Sequence, residues 1–153
     1  MYSRILCPID GSATSERGLD EAIRLARDQK AQLRLLYVID AHLAAMDPYG
    51  TVNLADLIDA SRNYGKELLE HSSARARGEG VQVEVGTLDT LAGPVGEMIA
   101  ADAREWRAEL IVMGTHGRRG VRRVVMGSDA ELVVRTSPAP VLLVRAPEGE
   151  ATR

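Results

Sequence analysis

Five short apolar runs are spaced along these 153 residues, and each gap between them is long enough for a helix and carries one. That alternation constrains the fold more than any other feature. Strands joined through helices cannot close as tight hairpins, so they lie parallel, with the helices crossing over the faces of one sheet. The first run, Arg4 to Ile9, is continuous and ends at Asp10-Gly11-Ser12, where Ser12 is placed to cap the next element. Leu19, Ala22, Ile23 and Ala26 then fall at helical spacing, predicting a helix to about Gln29. Leu33 to Ile39 reads as the second strand. From Asp40 to Val52 the period is lost and Pro48 and Gly50 appear, the composition of a surface loop. A long helix begins near Asn53, carries Leu54, Leu57, Ile58, Leu68 and Leu69, and ends around Arg77 before Gly78 and Gly80.

Val81, Val83 and Val85 alternate with Gln82 and Glu84, so the third strand has one wet face and belongs at a sheet edge. Thr87 to Gly93 reads as a loop closed by Pro94 at a helix start, and Val95, Met98, Ile99, Asp102 and Trp106 share the helical repeat after it. Leu110 to Met113 is the fourth strand, Gly127 or Ser128 to Arg135 the last helix, and Val141 to Arg145 the fifth strand after Pro138 and Pro140. The expected fold is α/β, one three-layer doubly wound domain over residues 1–147. Its five-stranded parallel sheet, in the order 3-2-1-4-5, carries helices on both faces, and residues 148–153 form a short flexible tail. In such a sheet ligands bind beyond the carboxyl ends of the strands where the order reverses. Here that is between strands one and four, at Asp10-Gly11-Ser12 and Gly114-Thr115-His116-Gly117.

The totals narrow the function. Cys7 is the one cysteine, which excludes an internal disulfide framework and a multi-cysteine metal site and fits a reducing compartment. Within Ile5-Leu6-Cys7-Pro8-Ile9 it reads as a core filler. No apolar stretch approaches the roughly 18 residues of a membrane span, and the N-terminal residues run straight into a strand. The expectation is a soluble, untargeted, cytoplasmic protein. A net charge of −3 offers no bulk attraction to nucleic acid or an anionic membrane. Local charge differs. All but two of the nineteen basic residues are arginines, and Arg118, Arg119, Arg122 and Arg123 crowd one short segment.

That segment lies inside the stretch richest in chemistry, Gly114-Thr115-His116-Gly117 through Arg118 to Met126 and on to Gly127-Ser128, a G-x2-G-x9-G-S pattern. Glycines at Gly114 and Gly117 would let main-chain amides approach an anion and adopt positive φ. Gly127-Ser128 would present free N–H groups and a hydroxyl at a helix N-terminus. Together they would wrap a polyphosphate, with arginine charge beside it. The two common nucleotide loops are absent: neither Lys30 nor Lys66 ends a G-x4-G-K-S/T loop, and no G-x-G-x-x-G follows the first strand. Asp10 suits either a ribose or the cap of its own turn, and its place at the switch point favours the ribose. His116 could serve as base, phosphate donor or spacer. His42 and His71 have no metal-ligand spacing and read as surface residues.

Pro8-Ile9-Asp10-Gly11-Ser12, Leu36-Tyr37-Val38-Ile39-Asp40, Val112 to Gly120, Gly127-Ser128 and Pro140-Val141-Leu142-Leu143-Val144 together resemble the universal stress protein family, over nearly the whole chain. The resemblance implies a nucleotide pose of the ATP-binding subgroup, which keeps this motif. Asp10, with Pro8 close by, lies at the nucleoside, and the backbone of Val38 reads the adenine edge. Met113 and Gly114 lie by the ribose and phosphates, and Gly117, Gly127 and Ser128 cradle the phosphates, with His116 and Arg118 beside them. Asp129 departs from the apolar residue or threonine usual after the glycine-serine pair. Its carboxylate would repel a γ-phosphate, although an acid at N2 of a helix is favoured by the macrodipole. The implied ligand is ATP, with any magnesium or manganese ion carried by its phosphates.

The leading expectation is a non-catalytic module whose ATP occupancy alters its shape or its contacts with a protein partner during stress. The alternatives are a slow ATPase or nucleotide-processing enzyme using the same pocket, or a binder of another adenosine ligand. Among Asp10, His116 and Asp129 no paired catalytic set is visible in the sequence. Val141 to Val144 ends the fold with no later element to cover it, and an apolar edge of this kind invites pairing. A homodimer through the fifth strands is expected, as the resemblance also suggests.

Overall fold

Along β1 (Arg4–Pro8) Ile5 and Cys7 enter one apolar layer and Leu6 the other, the two-residue period of a strand buried on both faces. β2 (Gln32–Asp40) divides in the same way, with Leu33, Leu35, Tyr37 and Ile39 on the first face and Leu36 and Val38 on the second. So does β4 (Leu110–Gly114), with Leu110 and Val112 opposed to Ile111 and Met113. The computed structural model describes residues 1–41, 47, 49–90, 93–116 and 126–146. Within them β3 (Gln82–Thr90) and β5 (Val141–Val144) complete a five-stranded sheet in the order β3-β2-β1-β4-β5, every pair parallel. This is the strand order expected from the wet face of the third strand. The reading of residues 148–153 as a flexible tail falls outside the described residues.

Among the described residues, two pairs of helices cover the sheet. α1 (Ala13–Gln29) and α2 (Leu54–Gly78) supply Leu19, Ala22, Ile23, Leu69 and Ala76 to the first layer. α3 (Val95–Glu105) and α4 (Ser128–Thr136) supply Ile99, Ala103, Ala130 and Val133 to the second. Each fully buried leucine or isoleucine stabilises the fold by about 1.5–3 kcal/mol relative to leaving it in water. Caps set the ends. Ser12 accepts the Ser15 N–H at 3.3 Å, and Asn53 accepts the Ala55 N–H at 2.9 Å. At the far end of α1, Lys30 takes a left-handed conformation at φ 54°. Arg75 of α2 reaches Glu16 and Asp20 of α1, tying the two helices together across 3.3 and 2.6 Å.

Two features depart from the sequence reading. The third strand does not give way to a loop at Thr87; it continues to Thr90, pairing with β2 from Gln32↔Gln82 to Asp40↔Thr90. Parallel pairing to a long partner outweighs the poor strand preference of Gly86 and Asp89. The helical repeat that included Asp102 proves to bury a charge. Asp102 is 6% exposed and takes both Arg34 Nε and Nη2 at 2.8 Å, while Glu84 of β3 meets Arg34 Nη1 at 2.5 Å. Hydrogen bonding to Asp102 pushes the Arg34 pKa above its ordinary value. Gly86 makes room for this arrangement, since a methyl there would stand 2.6 Å from Arg34 Nη2.

Candidate functional site

At the carboxyl ends of the strands the sheet rim is notched. β1 stops at Pro8, in register with Leu36, while β2 runs on to Asp40. Val38 lies on this overhang, paired outward with Leu88 of β3 and beyond the register with β1. Pro8 closes β1, and the turn after it is tightly bonded. Asp10 Oδ1 accepts the Ser12 N–H at 2.8 Å, and Ser15 Oγ accepts the Asp10 N–H at 3.0 Å. Asp10 therefore does cap its turn, and its carboxylate is held at the head of the notch by that same bond. Gly11, between them, has φ 81°, a conformation suited to glycine.

Across the notch, Met113 is buried in the second layer and Gly114 ends β4. Gly114 was expected to let its amide approach an anion and to adopt positive φ, and the second of these does not hold. Positive φ among the described glycines falls at Gly11, Gly50 and Gly80, whereas Gly114 lies against the first turn of α1. A methyl at Gly114 would come 2.7 Å from the carbonyl carbon of Thr14, and one at Gly18 would come 3.1 Å from the Gly114 nitrogen. Two facing glycines thus let α1 descend onto β4. The Thr14 hydroxyl then donates to the His116 carbonyl, joining the two loops at the switch point.

Thr115 is fixed on both sides, to β5 and to the start of α4. It is 7% exposed, its N–H donates to the Val144 carbonyl at 3.0 Å, and its carbonyl accepts the Gly127 N–H at 2.8 Å. Its hydroxyl lies 3.0 Å from His116 Nδ1. The Gly127 amide, expected to be free for an anion, is committed to this clamp; it holds the N-terminus of α4 beside β4. α4 then opens with Gly127 as N-cap and no side-chain cap, with Ser128 and Asp129 as its first two residues. Asp129 sits in the acidic first turn that the macrodipole favours. Gly117 and Arg118, and with them Arg119, Arg122 and Arg123, lie outside the described residues. The remaining predicted residues, Pro8, Asp10, Val38, Met113, Gly114, His116, Gly127, Ser128 and Asp129, gather around one notch from four separate segments of chain.

This arrangement of loops, strand order and helix entry has relatives. A family model described as the universal stress protein family matches residues 1–145. The chain belongs to that family. The universal stress protein YxiE of Bacillus subtilis is 34% identical over 151 residues, spanning 95% of this chain and 100% of its own length. A solved universal stress protein family structure from Burkholderia pseudomallei is 35% identical with a TM-score of 0.78, covering 95% of this chain and 97% of its own. The universal stress protein from Archaeoglobus fulgidus, solved in complex with dAMP, is 25% identical with a TM-score of 0.64, covering 94% of this chain and 98% of its own.

In this universal stress protein, three residues of the site region were not singled out from sequence. Gly18 and Thr14 matter through contacts with Gly114 and His116, and only Thr14's hydroxyl at the head of α1 was a visible sign. Tyr64 of α2 lies with its phenol against Gly11; nothing in its local sequence distinguishes it from other helix residues. Cys7 is fully buried, and burial drives its thiol pKa far upward, consistent with a core filler.

Proposed function

We propose that this universal stress protein binds ATP in the notch between β1 and β4 and acts as a non-catalytic regulatory module in the stress response. The observation that carries the reading is the convergence at Gly114–His116: the Asp10 turn is tied on through Thr14, and the N-terminus of α4, whose N-cap Gly127 has no side chain, is tied on through the Gly127 amide. An α-helix begins with amides that lack intrahelical partners, and its dipole favours an anion there. α1 and α2 meet this need with Ser12 and Asn53, whereas neither α3, with Pro94 at its N-cap, nor α4, with Gly127, has a side-chain cap. Of these two it is α4 that follows β4 at the notch, where phosphoryl oxygens would meet its first amides.

On this reading Asp10, already oriented by Ser12, accepts from the ribose, and the Val38 main chain lies along the adenine edge. Ser128 and the first turn of α4 meet the phosphates, with Gly117 and Arg118 on the intervening segment adding amides and charge. Among the described residues, no three His, Cys, Asp or Glu side chains gather as a protein-held metal would need. Any magnesium or manganese is proposed to arrive on the phosphates. The dAMP bound by the Archaeoglobus fulgidus relative supports an adenylate ligand. Among the described residues no helix is long and apolar enough to cross a membrane. We place the protein in the cytoplasm, whose reducing conditions suit an unpaired cysteine.

The test is to denature the purified protein and chromatograph the nucleotide it releases. Intact ATP, near one per chain, is the expected result; ADP accumulating over many turnovers per site in a follow-up incubation would make it an enzyme instead. We further propose a homodimer through β5, an edge strand of four residues whose Leu142 is 37% exposed. Sedimentation at micromolar concentration should give the mass of two chains, and the mass of one would refute the pairing.

A further inference from the structure

We infer that Tyr64 forms a wall of the nucleoside half of this pocket and contacts the adenosine moiety of the ligand, an inference that rests on the nucleotide reading above. The placement begins one residue further on. Gly65 lets α2 press onto β2, since a methyl at that position would overlap the Tyr37 ring, with its Cγ 2.9 Å away. Tyr37 is itself 3% exposed, and its hydroxyl lies 3.1 Å from Ser61 Oγ, one turn back along α2. This turn of α2 is therefore pinned to the strand that overhangs the notch. Tyr64 is carried past Tyr37, with ring centroids 6.2 Å apart and planes inclined at 56°. Its phenol ends on the β1–α1 turn: a methyl at Gly11 would overlap the Tyr64 oxygen and stand 3.1 Å from Cζ.

Gly11 is flanked by Asp10, the residue assigned to the ribose, and by Ser12, which fixes the Asp10 carboxylate. Tyr64 thus reaches the head of the notch from the side opposite α4. It is also 42% exposed, so the residue is held against Tyr37 and Gly11 while part of its surface still faces water. A planar group held in this way offers a base or ribose a large apolar surface at small cost in side-chain entropy. Among the other aromatic rings, Trp106 packs under Arg4 at the far end of the sheet, 5.4 Å from its guanidinium carbon, Tyr2 precedes β1 at that same end, Tyr37 is buried beneath α2, and Tyr49 is 86% exposed in the β2–α2 connection.

A purely structural tyrosine that props the Asp10 turn would affect every ligand of the pocket alike, whereas one that touches adenosine would not affect a bare phosphate chain. The experiment is calorimetric titration of wild type, Tyr64→Ala and Tyr64→Phe with ATP and, separately, with inorganic tripolyphosphate. Loss of one aromatic face against a base is expected to weaken ATP about tenfold in Tyr64→Ala. Tripolyphosphate affinity should stay within about twofold, and Tyr64→Phe, which keeps the ring, within about threefold of wild type for ATP. Equal affinity of wild type and Tyr64→Ala for ATP overturns the inference, and so does a parallel loss of ATP and tripolyphosphate. A second measurement uses the unaltered protein. The ring protons of Tyr64 should shift in the NMR spectrum on adding ATP and not on adding tripolyphosphate; no shift at saturation with ATP overturns the inference even if the alanine variant fails to fold. Wild-type protein that binds no ATP at all would overturn the nucleotide reading, and the inference with it.

Discussion

Replacing Gly114 by alanine tests the seam that brings the two halves of the site together. The added methyl would lie 2.7 Å from the Thr14 carbonyl carbon, 2.8 Å from its oxygen and 3.0 Å from the Ser15 nitrogen. All are main-chain atoms in the first turn of α1, so no rotamer change relieves the overlap. Carbon atoms rest about 3.5–4.0 Å apart, and α1 must therefore retreat by roughly 0.5–1 Å, which forfeits a quarter to a half of the dispersion energy along the seam. Overpacking of this kind costs about 1–3 kcal/mol. The retreat also breaks the hydrogen bond from Thr14 to the His116 carbonyl, for about 1 kcal/mol more. A combined loss of about 2–4 kcal/mol corresponds to a melting temperature lower by about 5–12 °C in a chain of this length. Scanning calorimetry measures it, with Gly78→Ala as the control. Gly78, the last residue of α2, has nothing within 4 Å of a built methyl, and alanine there should raise stability by about 0.4–1 kcal/mol. A Gly114→Ala protein that melts within a degree of wild type would refute the close α1–β4 approach, and with it the geometry of the notch.

Two further outcomes concern the core. Asp102→Ala strands the Arg34 guanidinium, whose side chain is 14% exposed, with Glu84 as its remaining ion-pair partner among the described residues and Glu105 acting from farther off. Breaking a buried pair costs about 3–5 kcal/mol, and the partner left behind puts this one near 3. Urea denaturation checks it, and a loss under about 1 kcal/mol would contradict the assignment. Cys7 is buried, and its thiol pKa is pushed upward by desolvation first and by Glu16 second, so it stays protonated in the folded state. The unfolded thiol ionises in the ordinary range, so this contribution is fully present below pH 8 and is lost as pH rises above it. A thiol reagent at pH 8 should label the native protein only at the rate of unfolding; prompt stoichiometric labelling would show Cys7 to be accessible.

Local signals in the sequence are legible, and distant ones are not. Ser12 can be named as a cap because a cap concerns residues two or three apart, and it accepts the Ser15 amide; the helix start near Asn53 is equally local, and there Asn53 accepts the Ala55 amide. The alternation at Val81–Val85 marks an edge strand and with it the strand order. The same local view stops that strand too early, because it is β2 alongside, not the strand's own composition, that extends it to Thr90. Asp102 falls on a helical face without its partner in view, since Arg34 is 68 residues away and its guanidinium passes beside Gly86 on a third element. At the candidate site, glycine, aspartate and helix-start residues point to one corner of the sheet, which the structure shows to be notched. Their duties differ in part from those expected: Gly114 answers to Thr14, and the Gly127 amide to Thr115. Tyr64 and Gly18 are illegible because each acts across a contact between elements that only the packed structure brings together.

The most direct measurement is a crystal structure of the protein grown with millimolar ATP and magnesium. The account predicts adenine lying along Val38, ribose within hydrogen-bonding distance of Asp10, and phosphate oxygens on the main-chain amides at the start of α4. A nucleotide found elsewhere on the molecule, or a notch that stays closed to ATP at saturating concentration, would contradict it.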